Sequence, residues 1–279
     1  MAGFSFPAFL QLTRYWNLLI IGLAQYFTAI FLIDKNAWRD INLFLLSSAT
    51  IMIAAAGYII NDYYDVKIDI INKPEKVVVG KKIMRRVAML AHLLLSGAGV
   101  LLGWYLSVWI GAINAFSALL LWLYSVNLKR LPFTGNFLVA LLTALSICIV
   151  EVYYLSSSFL VITYGIFAGA ITLIREIIKD MEDLQGDNIF GRKTLPIIWG
   201  IRKTKGFVYT LMFLFAFVVI MLNYWYVNVS WLYFFFFLYI PSAWLLYQLH
   251  RADTKLQYHH LSQLCKVIML MGIISMMVI

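Results

Sequence analysis

Charge is scarce in this chain. Asp, Glu, Lys and Arg make up 13% of its 279 residues, about half the share of a soluble domain, while 63% are hydrophobic. A water-soluble globule of this size cannot hide that much apolar surface. Disorder is excluded as well, because it needs low hydrophobicity and high charge. An outer-membrane barrel would alternate apolar and polar residues in short segments, whereas runs such as 90–102 and 207–222 are long and continuous. Cysteine is nearly absent: Cys148 and Cys265 both lie in apolar runs, with neither a disulfide framework nor metal-ligand spacing. No cleavable signal is read at the start, since residues 1–9 lack a basic segment and no small-residue cleavage site follows the first apolar run. The acids are scarcer than the bases, 13 against 22, giving a net charge of +9. No basic stretch is a solvated arm, so this excess points to cytoplasmic loops facing anionic membrane lipids, with no nucleic-acid partner.

What is present is long apolar segments. A helical span needs about 20 mostly apolar residues. The expected architecture is an all-α polytopic membrane protein, one domain over 1–279, with nine transmembrane helices. The expected spans are 16–33, 41–62, 86–105, 107–127, 135–155, 159–178, 206–226, 230–249 and 262–279. The connections after spans 1, 3, 5 and 7 are short and contain only Lys35 and Arg39. The basic residues concentrate after spans 2, 4, 6 and 8. This asymmetry places the N-terminus and those loops in the cytoplasm, and the protein in the cell (inner) membrane.

Nine of the thirteen acids fall in two windows, 62–75 and 176–187. The first contains Asn61-Asp62-Tyr63-Tyr64-Asp65-Val66-Lys67-Ile68-Asp69, and the second Asp180-Met181-Glu182-Asp183-Leu184-Gln185-Gly186-Asp187. Asp62, Asp65 and Asp69 match Asp180, Asp183 and Asp187 at a separation of 118 residues each time. Offsets of 0, 3 and 7 fall on one face of an α-helix. Two facing helix ends of this kind, around a central cavity, repel unless cations separate them. Mg²⁺ takes oxygen ligands and typically bridges one or two carboxylates to a substrate phosphate. Lys73, Lys76, Lys129, Arg130, Arg175, Lys179, Arg192 and Lys193 lie in or beside the connections on the same side of the membrane. Together they describe a diphosphate held between metal ions and cationic side chains. The plain alternative is a solvated loop of ion pairs, which is weaker for two triplets at matched spacing than for one aspartate.

At these residues the chain resembles the UbiA superfamily of intramembrane prenyltransferases. The stretch 61–69 fits that family's NDxxDxxxD motif without a mismatch, and 180–187 fits its DxxDxxxD-type second motif. The continuation Ile71-Asn72-Lys73-Pro74-Glu75-Lys76 resembles the family's loop, and Tyr124-Ser125 with Leu128-Lys129-Arg130 a smaller family feature. Arg14 and Asn17 match an N-terminal Arg-Pro-x-Asn element, with Tyr15 where proline is usual. The run Arg175-Glu176-Ile177-Ile178-Lys179-Asp180-Met181-Glu182-Asp183, with Gly186-Asp187 and Thr194-Leu195-Pro196, looks most like the geranylgeranylglyceryl-phosphate geranylgeranyltransferase branch.

The resemblance implies Mg²⁺-dependent transfer of a polyprenyl group, geranylgeranyl in that branch, from its diphosphate donor to a lipid acceptor in ether-lipid biosynthesis. It implies Asn61, Asp62, Asp65, Asp69, Asp180, Asp183 and Asp187 as catalytic residues, the six aspartates as metal ligands, and Arg14, Asn17, Tyr124 and the nearby bases as diphosphate ligands. Transfer to an aromatic acceptor or terpene cyclisation on the same fold are alternatives, and an ion-coupled transporter is the rival outside the enzyme class. Tyr63, Tyr64 and Tyr124 adjoin the motifs and could face a carbocation. Plainer roles are expected elsewhere: Glu151 as an interfacial carboxylate, His92 as a satisfied core group, and His259 and His260 as solvated loop residues. Lys81, Lys82, Arg85 and Arg86 read as a topology signal or headgroup contact.

Overall fold

The computed structural model describes residues 5–227 and 229–279. Among the described residues the regular structure is helical, and nine helices are long and apolar enough to cross a membrane. A short helix α1 (Phe6–Leu12) precedes α2 (Tyr15–Leu32). Then follow α3 (Ile41–Asn72), α4 (Arg85–Leu106), α5 (Val108–Val126), α6 (Thr134–Tyr154) and α7 (Phe159–Glu182). The short α8 (Leu184–Ile189) leads to α9 (Leu195–Leu222). The next span, Trp231–Arg251, comprises α10 (Trp231–Phe234), a π-helical turn at Phe235–Tyr239 and α11 (Ile240–Arg251). The last helix is α12 (Lys255–Ser275).

The nine spans occur where the hydropathy pattern places them, but α7 runs one turn further, to Glu182, and three others are longer by seven residues or more. Helix α3 continues to Asn72 instead of ending near 62, so the whole first aspartate motif is helical. Helix α9 begins at Leu195 and changes direction at Gly200, where φ is 77° and only glycine is comfortable. Helix α12 begins at Lys255, under a capping box of Thr254 and Gln257, rather than at 262. In α3 and α12 the added turns carry polar side chains that face the protein interior, and a hydropathy threshold stops short of them.

Helices α3 and α7 form the centre. In their most apolar stretches 56% and 67% of residues are buried, against 22–28% in α2, α4, α5, α6, α9 and 231–251. The outer helices turn residues such as Leu93, Leu101, Trp109 and Phe213 outward, toward the lipid expected around such a bundle. Both motif-bearing helices are therefore the ones least able to move independently.

Lipid offers no hydrogen bonds, so buried polar groups pair across helices. Gln25 Nε2 donates to Thr50 Oγ1 at 3.0 Å and to the Ser146 carbonyl at 2.8 Å, joining α2, α3 and α6. His92 Nδ1 lies 3.1 Å from the Ala56 carbonyl, the satisfied core position expected of it. Asp40 caps α3 by accepting from Asn42 N, and its other oxygen accepts from Tyr153 and Tyr154 at 3.1 and 3.0 Å.

Helices α3 and α4 approach closely at Gly99, where a Cβ would stand 2.9 Å from the Ala49 carbonyl oxygen. A Gly99→Ala substitution must push the two backbones apart, at a cost of about 1–3 kcal/mol. It should lower the thermal unfolding midpoint of the purified protein in detergent. Gly97→Ala, with open space around its Cβ, should leave that midpoint unchanged or slightly raised.

Candidate active site

The C-terminal ends of α3 and α7 meet at one end of the bundle and enclose a cavity of about 270 Å³. Its walls also take residues from α1, α2, α6, α8 and α12. Eight carboxylates line it, and so do eight Lys or Arg side chains. The cavity is thus balanced in formal charge before anything binds.

The first motif lies on the last turns of α3, with its three aspartates on one face as the spacing predicts. Asp62 Oδ1 accepts from Arg14 at 2.7 Å. Arg14 joins α1 to α2 in the left-handed conformation, φ 53°, and its guanidinium also covers the Tyr58 ring. The backbone strain, of order 1–3 kcal/mol for such a residue, is held in place by these contacts. Asn17 Nδ2 donates to the Tyr58 hydroxyl at 3.3 Å. Buried Asp65 pairs with Lys129 at 2.8 Å and with Arg192. Lys129 also donates to Asn61 Oδ1 at 3.2 Å. Asp69 has no side-chain hydrogen bond or ion pair among the described residues, although Asp65 and Asp62 crowd it.

The second motif does not repeat the first. Helix α7 ends at Glu182, Asp183 sits in the break, and Asp187 lies on α8. The single helical face expected for Asp180, Asp183 and Asp187 is therefore corrected to three positions around a corner. The corner is made by Asn72. Its Nδ2 donates to the Asp183 carbonyl at 3.3 Å and its Oδ1 accepts from Gly186 N at 3.0 Å. This amide satisfies Gly186 N at the break and adds a second donor to the Asp183 carbonyl, which also accepts from Asp187 N at 3.1 Å. Gly186 is required there, because a Cβ would stand 2.4 Å from Asn72 Oδ1. The neighbouring Lys73 Nζ bonds the Asp183 carboxylate at 2.9 Å and lies 3.5 Å from Glu182. Asp180 accepts from Asn136 Nδ2 at 2.8 Å, and Asp187 pairs with Arg192 at 3.2 Å. Arg192 thus bridges the two motifs.

Burial shapes the charges in the connecting segments. It pushes the Asp187 carboxyl up to about 6, against the pull of Arg192 and with the help of Asp183 and Asp65. It also draws the Lys129 ammonium below the usual lysine range, although Asp65 opposes this. For Arg192 burial acts in the same sense but is outweighed by Asp65 and Asp187, which hold it above the ordinary arginine value.

The eight carboxylates of the lining offer oxygen ligands, which suit a hard divalent cation. Among the described residues no three Asp, Glu, His or Cys side chains converge to hold a metal ion by themselves. An ion here would need further oxygens from water or from a phosphate, the usual habit of Mg²⁺. Asp69, crowded by like charge and without a counter-ion of its own, is the carboxylate most open to one.

All seven motif residues anticipated from the sequence line the cavity, as do Arg14, Asn17, Lys73, Lys76, Tyr124, Lys129, Arg175, Lys179 and Arg192. Arg130 and Lys193 do not: both are exposed on the rim, joined by a bond from Lys193 N to the Arg130 carbonyl at 3.0 Å. Tyr63 and Tyr64 also lie outside the lining, with Tyr63 under Arg85 and Tyr64 exposed. The expectation of solvated histidines holds for exposed His260 and fails for His259. The longer α12 carries His259 onto the cavity wall, with Nδ1 3.0 Å from Glu182 Oε1. Asn72, Asn136, Glu182 and Lys266 also line the site without having been singled out. Asn72 and Glu182 lay in the motif stretches without an assigned role, Lys266 stood as a lone charge inside the ninth apolar run, and Asn136 left no trace.

Replacing Asn72 by Ala leaves Gly186 N without its partner and removes one of the two donors to the Asp183 carbonyl, costing about 1–3 kcal/mol for the unsatisfied group. The expected outcome is faster amide hydrogen exchange across 183–190, with exchange across 62–69 unchanged.

Comparison with known proteins agrees with this geometry. The sequence profile described as the UbiA prenyltransferase family matches residues 19–259. The chain is similar to a digeranylgeranylglyceryl phosphate synthase of Saccharolobus solfataricus, 37% identical over 203 residues that cover 72% of this chain and 71% of the other. It is also similar to one of Thermococcus kodakarensis, 30% identical over 210 residues and covering 73% of each. Among solved structures, one described as a digeranylgeranylglyceryl phosphate synthase in membranes superposes with a TM-score of 0.74 at 24% identity, covering 98% of this chain and 97% of that one. A UbiA homologue from Archaeoglobus fulgidus bound to GPP and Mg²⁺ superposes with a TM-score of 0.61 at 16% identity, covering 98% of this chain and all of the other.

Proposed function

The chain belongs to the UbiA prenyltransferase family, and from that premise we propose that it transfers a geranylgeranyl group from its diphosphate to the hydroxyl of geranylgeranylglyceryl phosphate. The observation that carries this reading is the single cavity in which both aspartate motifs face a matching number of cationic side chains. The choice of acceptor is supported by the names of the relatives from Saccharolobus and Thermococcus. A Mg²⁺ requirement is supported by the oxygen-rich lining and by the Mg²⁺ and GPP bound to the Archaeoglobus homologue. We read the whole chain as one such domain, with the cavity opening toward the cytoplasmic face of the cell membrane, where its basic loops belong.

A diphosphate entering a charge-balanced cavity brings an excess of negative charge. That excess explains why divalent cations must accompany it. Asp62, Asp65, Asp69, Asp180, Asp183 and Asp187 are the residues that would hold Mg²⁺, which when bound neutralises charge building on the leaving diphosphate. Lys73, Lys129 and Arg192, already fixed against the aspartates, stabilise the same developing charge. Their fixed positions matter, because donors that need no reorganisation contribute most in a water-poor site. The allylic C–O bond of the donor breaks, and C1 takes up positive character. Tyr124, on the cavity wall, is the aromatic group from the motif region that can face this centre. The acceptor hydroxyl then bonds to C1 and gives up its proton, and a carboxylate of the first motif is the base we assign. The prenyl tails run outward between helices into lipid, gaining roughly 0.8 kcal/mol per buried CH₂.

The test is product analysis with purified protein in nanodiscs, supplied with geranylgeranyl diphosphate, geranylgeranylglyceryl phosphate and Mg²⁺. Digeranylgeranylglyceryl phosphate is expected only when all three are present. Asp69→Asn or Asp183→Asn should reduce turnover by at least about a hundredfold, the scale of losing one transition-state charge contact, with insertion and folding intact. A terpene hydrocarbon or alcohol formed without acceptor would overturn the reading in favour of cyclisation.

A further inference from the structure

The cavity is balanced as a whole but not along its depth. Near its mouth the six motif aspartates are answered by Arg14, Lys73, Lys129 and Arg192. Arg175 lies five residues before Asp180 on α7, about 7.5 Å deeper at 1.5 Å per residue. At that level stand Arg175 and Lys266 from α7 and α12, with Glu176 as their carboxylate, and Lys179 lies between them and Asp180. Glu176 is already shared, bonded to Arg175 and 3.6 Å from Lys179 Nζ. Lys266 has no hydrogen bond or ion pair among the described residues, and the charges it senses are Arg175, Arg14 and Lys179 with Glu176 opposing them. The Arg175 Nε is buried and without a partner.

An uncompensated lysine eleven residues into a membrane-spanning helix is costly, and such residues are kept where they meet a ligand or a partner. Arg175 and Lys266 against Glu176 leave one positive charge in surplus, and Lys179 adds a second at the boundary with the aspartates. A phosphomonoester carries about two negative charges near pH 7. The donor diphosphate is a poorer fit at this depth, because no free carboxylate is present to hold the divalent cations that accompany it. A guanidinium fork beside an ammonium binds such a phosphate directly, without a metal. Gln263, which lines the same wall one turn before Lys266, adds an amide donor.

We infer that Arg175 and Lys266 form a second anion site, distinct from the diphosphate site at the aspartates, which binds the phosphomonoester of the acceptor. Arg175 is thereby reassigned from donor to acceptor. The arrangement puts the acceptor phosphate below the aspartates and leaves its glycerol hydroxyl facing the donor carbon above. This inference rests on the prenyl-transfer reading and specifies how its acceptor is recognised.

The experiment compares geranylgeranylglyceryl phosphate with the dephosphorylated alcohol, in the wild type and in Lys266→Gln, Lys266→Arg and Arg175→Gln. For Lys266→Gln and Arg175→Gln the KM for the phosphorylated acceptor should rise about tenfold or more, the scale of one charge-assisted hydrogen bond. The KM for geranylgeranyl diphosphate should stay unchanged in Lys266→Gln, and Lys266→Arg should recover most of the loss. A parallel rise in the donor KM would overturn the assignment, as would an unchanged preference for the phosphorylated acceptor. Binding is read separately from turnover, by the thermal stabilisation that the phosphorylated acceptor confers without donor. Stabilisation of the wild type and its loss in Lys266→Gln supports the site even if no transfer is found, an outcome that would sink the reaction alone. Transfer by the wild type with stabilisation intact in Lys266→Gln would sink the site alone. Equal stabilisation by phosphatidic acid would mean that the site takes a membrane headgroup, and would also overturn the acceptor assignment.

Discussion

Sixteen carboxylate, lysine and arginine side chains share one cavity at the end of a membrane-spanning bundle, and the rest of the structure is arranged around keeping most of them paired. In a low-dielectric interior an unpaired charge is far more expensive than a paired one, and pairing recovers the loss only with good geometry. Helices α3 and α7, which carry most of the carboxylates, are accordingly the most enclosed. The partners come from every direction. Arg14 arrives from the α1–α2 junction in a strained conformation, Lys129 from the turn before α6, and Arg192 from the segment before α9. A cation network drawn from three separate connections ties the helix order of the bundle to the electrostatics of the site.

The same pairing prepares the chemistry. Apart from Asp69 and Lys266, most of these cations and carboxylates have their desolvation already met by a neighbour, so an incoming phosphate exchanges partners instead of stripping groups of water. The balance of eight against eight also sets a condition on what may enter. A polyanion alone tips the cavity negative, and divalent cations restore it. The surplus of positive charge deeper along α7 and α12 answers a different anion, one that arrives without metal. Two substrates of like charge can then occupy neighbouring places with different counter-charges.

Mechanical precision at the second motif depends on one amide. Asn72, the last residue of α3, holds the break between α7 and α8 by bonding Asp183 and Gly186, while its own carbonyl accepts from Lys255 Nζ at 2.7 Å. The ends of α3, α7 and α12 are thereby joined at one point. Lys73 follows directly and reaches Asp183. A displacement of any of the three helices is felt at the aspartates within a few bonds, which suits a site that must keep several carboxylates at working distance in a fluid bilayer.

The sequence by itself determined the class of this protein. Apolar runs of span length are a local property, so nine helices could be read from it, and so could the two acidic windows, because offsets of 0, 3 and 7 are set by helical geometry. Lys73 and Arg192 were legible as bases near those windows, and Lys129 as a base in a loop on the same side, although their particular partners were not. The tertiary structure alone decided that the second triplet bends around Asn72, because the contact that breaks the helix comes from a residue 111 positions away from Asp183. It alone brought Asn136, His259 and Lys266 to the cavity, since polar residues on long helices show which face they occupy only when the neighbouring helices are in place. Arg130 and Lys193 show the converse. Their charge and position in the chain matched the bases that line the site, and the turn in which they sit directs them to the rim. Residue type and spacing carry the chemistry that a chain can perform. Which side chains converge, and which anion each cation meets, depends on long-range packing that no local pattern encodes.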